Sequence, residues 1–196
     1  KLAVFVVIPT IATFISAAIA SACDKGFDHD FHHGRKTIHG VYGATSVSSC
    51  ISTPYGLNDN FTPKNPPDKP VSSNTSTARN IWTFNRDGTG MAEGTGIGIS
   101  FSPNQSASSS HVTWEFTYDV TDDGMVTIHS GSAEGEYLTG SLKGATYTIV
   151  QGGDESGYIS EDHKTITLNT VPTGVMKLHF PAFDLYVICN YSRVLI

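Results

Sequence analysis

The chain has 196 residues, of which 39% are hydrophobic, and its 12 basic residues face 18 acidic ones for a formal charge of −6. That length suits one domain with a sizeable core. The acidic balance, with no Lys/Arg cluster to interrupt it, argues against a nucleic-acid or anionic-lipid surface.

Lys1, a charge-free apolar run from Leu2 to Ala22 and the small residues Ala20-Ser21-Ala22 before Cys23 have the parts of a secretory leader. Residues 1–22 are therefore expected to be a signal peptide and the protein to be exported. Ala20-Ser21-Ala22-Cys23 resembles the lipobox of bacterial lipoproteins, which implies a lipid-linked Cys23 as the mature terminus and a membrane anchor. Plain cleavage with full secretion, or an uncleaved apolar span, are the other outcomes of the same segment. Removing the leader takes away Lys1 alone, leaving 11 basic residues against 18 acidic ones.

The chain has 3 cysteines. With Cys23 lipidated, Cys50 and Cys189 remain as an even pair that an exported protein can oxidise. Two buried free thiols are the alternative.

Residues 23–78 read as a polar, Pro-rich segment partly packed on the domain that follows. Within it, Asp28, His29, Asp30, His32 and His33, with His39 beyond, form the densest group of potential metal ligands. Imidazoles and carboxylates suit Zn²⁺, Ni²⁺ or Cu²⁺. No H-E-x-x-H or C-x-x-C spacing accompanies them, so a solvated tether is the competing reading. Ser52 to Ala78, with Pro63, Pro66, Pro67 and Pro70, reads as a long loop.

Residues 79–196 carry the rhythm of a β-domain. In His111 to Thr121, Val112, Trp114, Phe116, Tyr118 and Val120 alternate with polar residues, the period of a half-buried strand. Asp122-Asp123-Gly124 supplies turn chemistry, and Arg79 to Arg86 followed by Asp87-Gly88 repeats the scheme. Further extended segments are expected at Met125–His129, Ala145–Gln151, Lys164–Asn169, Val175–Phe180 and Asp184–Asn190. The expectation is an all-β fold, an antiparallel up-and-down barrel or a sandwich of seven or eight strands.

Trp82-Thr-Phe84-Asn-Arg-Asp87-Gly88-Thr-Gly90 resembles the opening strand and turn of lipocalin-like exported domains, and Gly157 to Leu168 is similar to a later hairpin of the same domains. The resemblance implies an up-and-down barrel with an apolar pocket. It also implies a role for Arg193, the terminal arginine that covers an aromatic ring at the barrel mouth. An ordinary surface arginine is the competing reading. Trp82, Phe84, Trp114, Phe116 and Tyr118 would either line a ligand cavity or fill a closed core.

Gly88-Thr-Gly90 and Gly94-Thr-Gly96-Ile-Gly98 are followed by an extended segment and not a helix, so turns, bulges or barrel bends explain them better than a phosphate cradle. No G-x-S-x-G elbow occurs, and Asp154, Glu155, Glu161 and Asp162 read as solvated loop carboxylates. Four N-x-[ST] sequons begin at Asn60, Asn74, Asn104 and Asn190. The function expected is non-catalytic binding, without a cofactor, of a small apolar ligand or an envelope protein. A His-rich metal-binding protein is the alternative, and a hydrolase the third.

Overall fold

The computed structural model describes residues 38–69, 71–101, 106–170 and 175–196. Ten strands lie within them: β1 (Gly40–Thr53), β2 (Ser72–Phe84), β3 (Thr89–Ser100), β4 (Ser106–Val120), β5 (Met125–Tyr137), β6 (Thr146–Gln151), β7 (Glu155–Ile159), β8 (Ile166–Thr170), β9 (Met176–Phe180) and β10 (Phe183–Leu195). All pairings are antiparallel, β1 to β5 follow one another in order, and β1 pairs β10 from Ala44↔Leu195 to Thr53↔Tyr186. The sheet thereby closes on itself.

The two short pairs of strands are interrupted staves. β6 pairs the end of β5 (Ala133↔Ile149) and β7 its start (Ile128↔Glu155), so both run along β5 in one direction. β8 and β9 divide β10 in the same way, at Arg193↔Leu168 and Leu185↔Leu178. The result is an eight-stave up-and-down barrel, the architecture that leaves no open edge.

Local chemistry sets the lower rim. At Asn85–Gly88 and again at Thr121–Gly124, a four-residue loop ends on a glycine in the left-handed region, at φ 84° and 86°. Asn85 N–H donates to Thr89 O at 2.8 Å and Thr121 N–H to Met125 O at 2.9 Å, closing both hairpins. Asp87 Oδ1 accepts from the Thr89 amide at 3.0 Å and from its hydroxyl at 2.7 Å, and these bonds lower the Asp87 pKa.

The core sits in the lower half. Trp82, Phe84, Phe116, Val126, Ile128, Ile166, Leu168 and Leu195 point inward, each at most 2% exposed. Ile38 closes the bottom, where the Tyr118 hydroxyl donates to the carbonyls of Ile38 and Asn85. Gly90 faces inward because the Phe116 ring occupies the place of its side chain, within 2.2 Å of a built Cβ. β5 bulges where Gly131 and Ser132 stand against the single residue Glu115 of β4, between the pairs Phe116↔Ser130 and Trp114↔Ala133.

The upper half is lined differently. Over the arc from β1 to β4 the inward residues are Ser46 and Ser48, Ser76 and Ala78, Gly94, Gly96 and Gly98, then Ser108 and Ser110. The facing arc carries Cys50 and Cys189 with Val187, Leu178, Met176 and Tyr191. Tyr147 lies across Gly135, and burial pushes its phenol pKa upward.

Cys50 and Cys189 are direct partners on β1 and β10 and form a disulfide across 139 residues of sequence. In the chain-entropy account a loop of that size is worth about 4–5 kcal/mol.

Two expectations need correction. The barrel begins at Gly40, not Arg79, and at both ends of the expected Pro-rich loop residues 52–53 and 72–78 are strand. The reason lies in which face is greasy. In the middle of β1 the inward residues are Ser46 and Ser48, while Val41, Val47 and Ile51 face out, 68%, 56% and 41% exposed. In the first half of β2 both faces are Ser, Asn, Thr or Ala. Neither pattern resembles an ordinary half-buried strand.

Candidate functional site

The floor of the upper half is a buried ion pair. β10 alternates Val187, Cys189, Tyr191, Arg193 and Leu195 toward the inside, which carries Arg193 into the barrel. Glu155, the first residue of β7, is buried two staves away, with β8 between β7 and β10. Arg193 Nε donates to Glu155 Oε2 and Nη2 to Oε1, each at 2.8 Å. The side chains are only 10% and 11% exposed. A planar guanidinium suits this role, because it answers a carboxylate with two parallel bonds and offers its face to aromatics. Arg193 Cζ lies 5.3 Å from the Trp82 ring, 5.5 Å from Trp114 and 5.0 Å from Tyr191. Burial pushes the Tyr191 phenol up to about 12.

Beside this pair two donors have no acceptor. Trp82 Nε1 and Asn80 Nδ2 are buried without a hydrogen-bond partner. Both residues sit on the inward face of β2, two positions apart, with exposures of 1% and 7%. Asn80 packs against Gly94, where a built Cβ would fall 2.0 Å from Asn80 Oδ1. An unpaired buried donor costs on the order of 1–3 kcal/mol, so two neighbouring ones mark a place where an acceptor is called for.

Above them, Ser76, Ala78, Ser108, Ser110, Val112 and Trp114 are inward-facing yet only half-buried. By the strand alternation their side chains are turned toward the inside of the barrel. A polar, small-residue cup thus stands over a floor of Trp82, Trp114 and the Arg193–Glu155 pair.

The predicted aromatic set is brought together. Trp82, Phe84, Phe116 and Tyr118 form a chain of ring contacts with centroid separations of 5.0–6.5 Å. Trp114 meets Trp82 edge-on at 5.3 Å and reaches into the cup. Arg193 is inside and not on the surface. Among the acidic residues, Glu155 is a buried partner and not a solvated loop carboxylate. The change came from a strand beginning one residue after exposed Asp154, which pairs with His129 at 3.0 Å. Glu161 and Asp162 are exposed in the β7–β8 turn.

Cys23, His29, His32 and His33 lie outside the described residues. His39 stands 3.5 Å from Arg86. Among the described residues no three His, Cys, Asp or Glu side chains gather as a metal site.

A second concavity, a groove of 490 Å³, lies where β4, β5, β6 and β9 adjoin, with His111, Glu134, Glu136 and His179 along it. Its polar groups are solvent-exposed: His179 Nδ1 is 2.8 Å from Asp184, which also binds Lys177 at 2.7 Å. Those bonds, Lys177's first, hold the Asp184 carboxyl below its usual range. The groove leaves no buried group wanting a partner.

Reasoning from sequence missed Asn80, Glu155 and the serine–glycine arc. Asn80 carried a signal, since it stands at an inward position in register with Trp82 and Phe84. Glu155 carried none, being 38 residues from Arg193.

No protein-family model matches the chain, and no curated protein does. A solved structure of the enduracididine biosynthesis enzyme MppR, complexed with the condensation product of pyruvate and imidazole 4-carboxaldehyde, is similar over 81% of this chain and 88% of its own, at 8% identity and a TM-score of 0.20. A likeness that slight carries no argument.

Proposed function

We propose that this is an exported, non-catalytic barrel that holds a small molecule in the upper half of its lumen. The observation that carries the reading is the pair of buried, unpartnered donors, Asn80 Nδ2 and Trp82 Nε1, at the base of a half-open cup. Barrels of eight staves commonly keep one ligand at such a place. The oxidised Cys50–Cys189 pair supports export. It also leaves Cys23 as the odd cysteine for a lipid anchor. The lipocalin-like resemblance agrees with this reading. Arg193 stands over the Trp82 ring, a contact that supports the reading.

The test is a fragment screen by amide and indole chemical shifts on the disulfide-intact protein, using neutral aromatic fragments. Expected are shifts at inward Ser76, Ala78, Gly96 and Ser110 that vanish in a lumen-filling Ala78→Phe variant. Shifts confined to outward Thr77, Thr95 or the His111–His179 groove would overturn lumen binding and favour recognition at the outer surface.

A further inference from the structure

We infer that the lumen ligand is a neutral molecule that presents a carbonyl-type oxygen to Trp82 and Asn80 and lays an apolar body against Trp114 and Val112. This rests on the lumen reading and adds the ligand's chemical class to it.

Three observations converge. The indole N–H of Trp82 can only donate, so whatever meets it must accept. Asn80 stands beside it on the same strand face, about 7 Å along the chain, with its Nδ2 equally unpartnered. An oxygen with two lone pairs, or two acceptors a few ångströms apart, answers both.

Charge is the second. Of the described inward-facing residues in the cup, Arg193 is the cation and Glu155 its bidentate partner, so the floor is neutral as a unit. An anionic ligand would have to displace Glu155 from Arg193 or enter without a counter-charge. A cation would meet the buried guanidinium. Either pays a desolvation cost that a neutral oxygen avoids.

Shape is the third. Gly94 and Gly96 leave the β3 wall beside Asn80 without side chains, and the half-buried Val112 and Trp114 on the next strand, paired with Gly94 and Ala92, supply the apolar surface beyond it. A ligand that was polar throughout would strand that surface, and a hydrocarbon would leave both donors unanswered.

The experiment compares three probes of nearly one shape on the full, disulfide-intact chain: benzamide, benzoate and toluene. Binding is read from the two indole N–H resonances and from lumen amides. Benzamide is expected to bind at least tenfold more tightly than either other probe and to move the Trp82 Nε1–H signal downfield. Asn80→Leu should abolish that tenfold preference while leaving toluene binding unchanged or stronger, and should raise the unfolding midpoint by removing an unanswered donor. Equal affinities for the three probes, with lumen shifts, would overturn the ligand class while leaving lumen binding intact. So would a Trp82 N–H that keeps its contact to water with benzamide bound, since an ordered water would then be its partner. An absence of lumen shifts with every probe would overturn both readings.

Discussion

Replacing Glu155 by Leu leaves the Arg193 guanidinium inside the barrel without its carboxylate. The two bonds lost are 2.8 Å each, and the side chains are about one-tenth exposed, so solvent cannot take over the charge. Removing one partner of such a pair costs about 3–5 kcal/mol. For a domain of this size each kcal/mol moves the melting point by roughly 2–4 °C, so Glu155→Leu should melt at least ~6 °C lower. Arg193→Met strands the carboxylate instead and also forfeits the stacking on Trp82 and Trp114, worth on the order of 0.5–2 kcal/mol. The double variant buries no charge and should be more stable than either single one. Urea unfolding followed by tryptophan fluorescence is a suitable assay, because the chain has 2 tryptophans and both lie against Arg193. Single-variant losses under ~1 kcal/mol, or strict additivity in the cycle, would refute the argument that the pair is a desolvated unit.

Two further perturbations test other parts of the structure. Gly94→Ala places a methyl 2.0 Å from Asn80 Oδ1 and 2.3 Å from the Arg79 carbonyl, whereas Gly98→Ala meets nothing closer than 3.7 Å. The first should cost about 1–3 kcal/mol in urea titration and the second much less, although both sit inward on β3. On alkaline titration, burial raises the Tyr118 phenol, and the Tyr191 phenol beside Arg193, from 10 to about 12. The neutral phenol is the form the folded state favours, so this stability is complete below pH 10 and is lost as pH rises from 10 toward 12. Absorbance at the phenolate band should show these tyrosines ionising together with unfolding, and Tyr118→Phe should flatten the decline; a full phenolate yield near pH 10 in the folded protein would contradict it.

The lower half of this barrel could be read from the chain because there the ordinary rule holds, large apolar residues inward and polar ones outward. Trp114, Phe116, Tyr118 and Val120 alternate with charged and hydroxyl residues, and Asp-Gly pairs end the strands at both Gly88 and Gly124. Local pattern suffices when one face of a strand is dry. It failed for β1 and the start of β2, where serines point inward and valines outward, because alternation reports burial and cannot say which face is the inside of a half-open cup. It failed again for Glu155 and Arg193. Whether a charge in an extended segment is solvated or buried depends on what stands beside it inside the barrel, and the pairing of β8 with both β7 and β10 put Glu155 within reach of Arg193. Closure of the ring set the Trp82 and Asn80 donors where no wall group reaches them. Strand identity is a property of neighbours along the chain. The chemistry of this interior is a property of neighbours across it, and only the closed barrel brings those together.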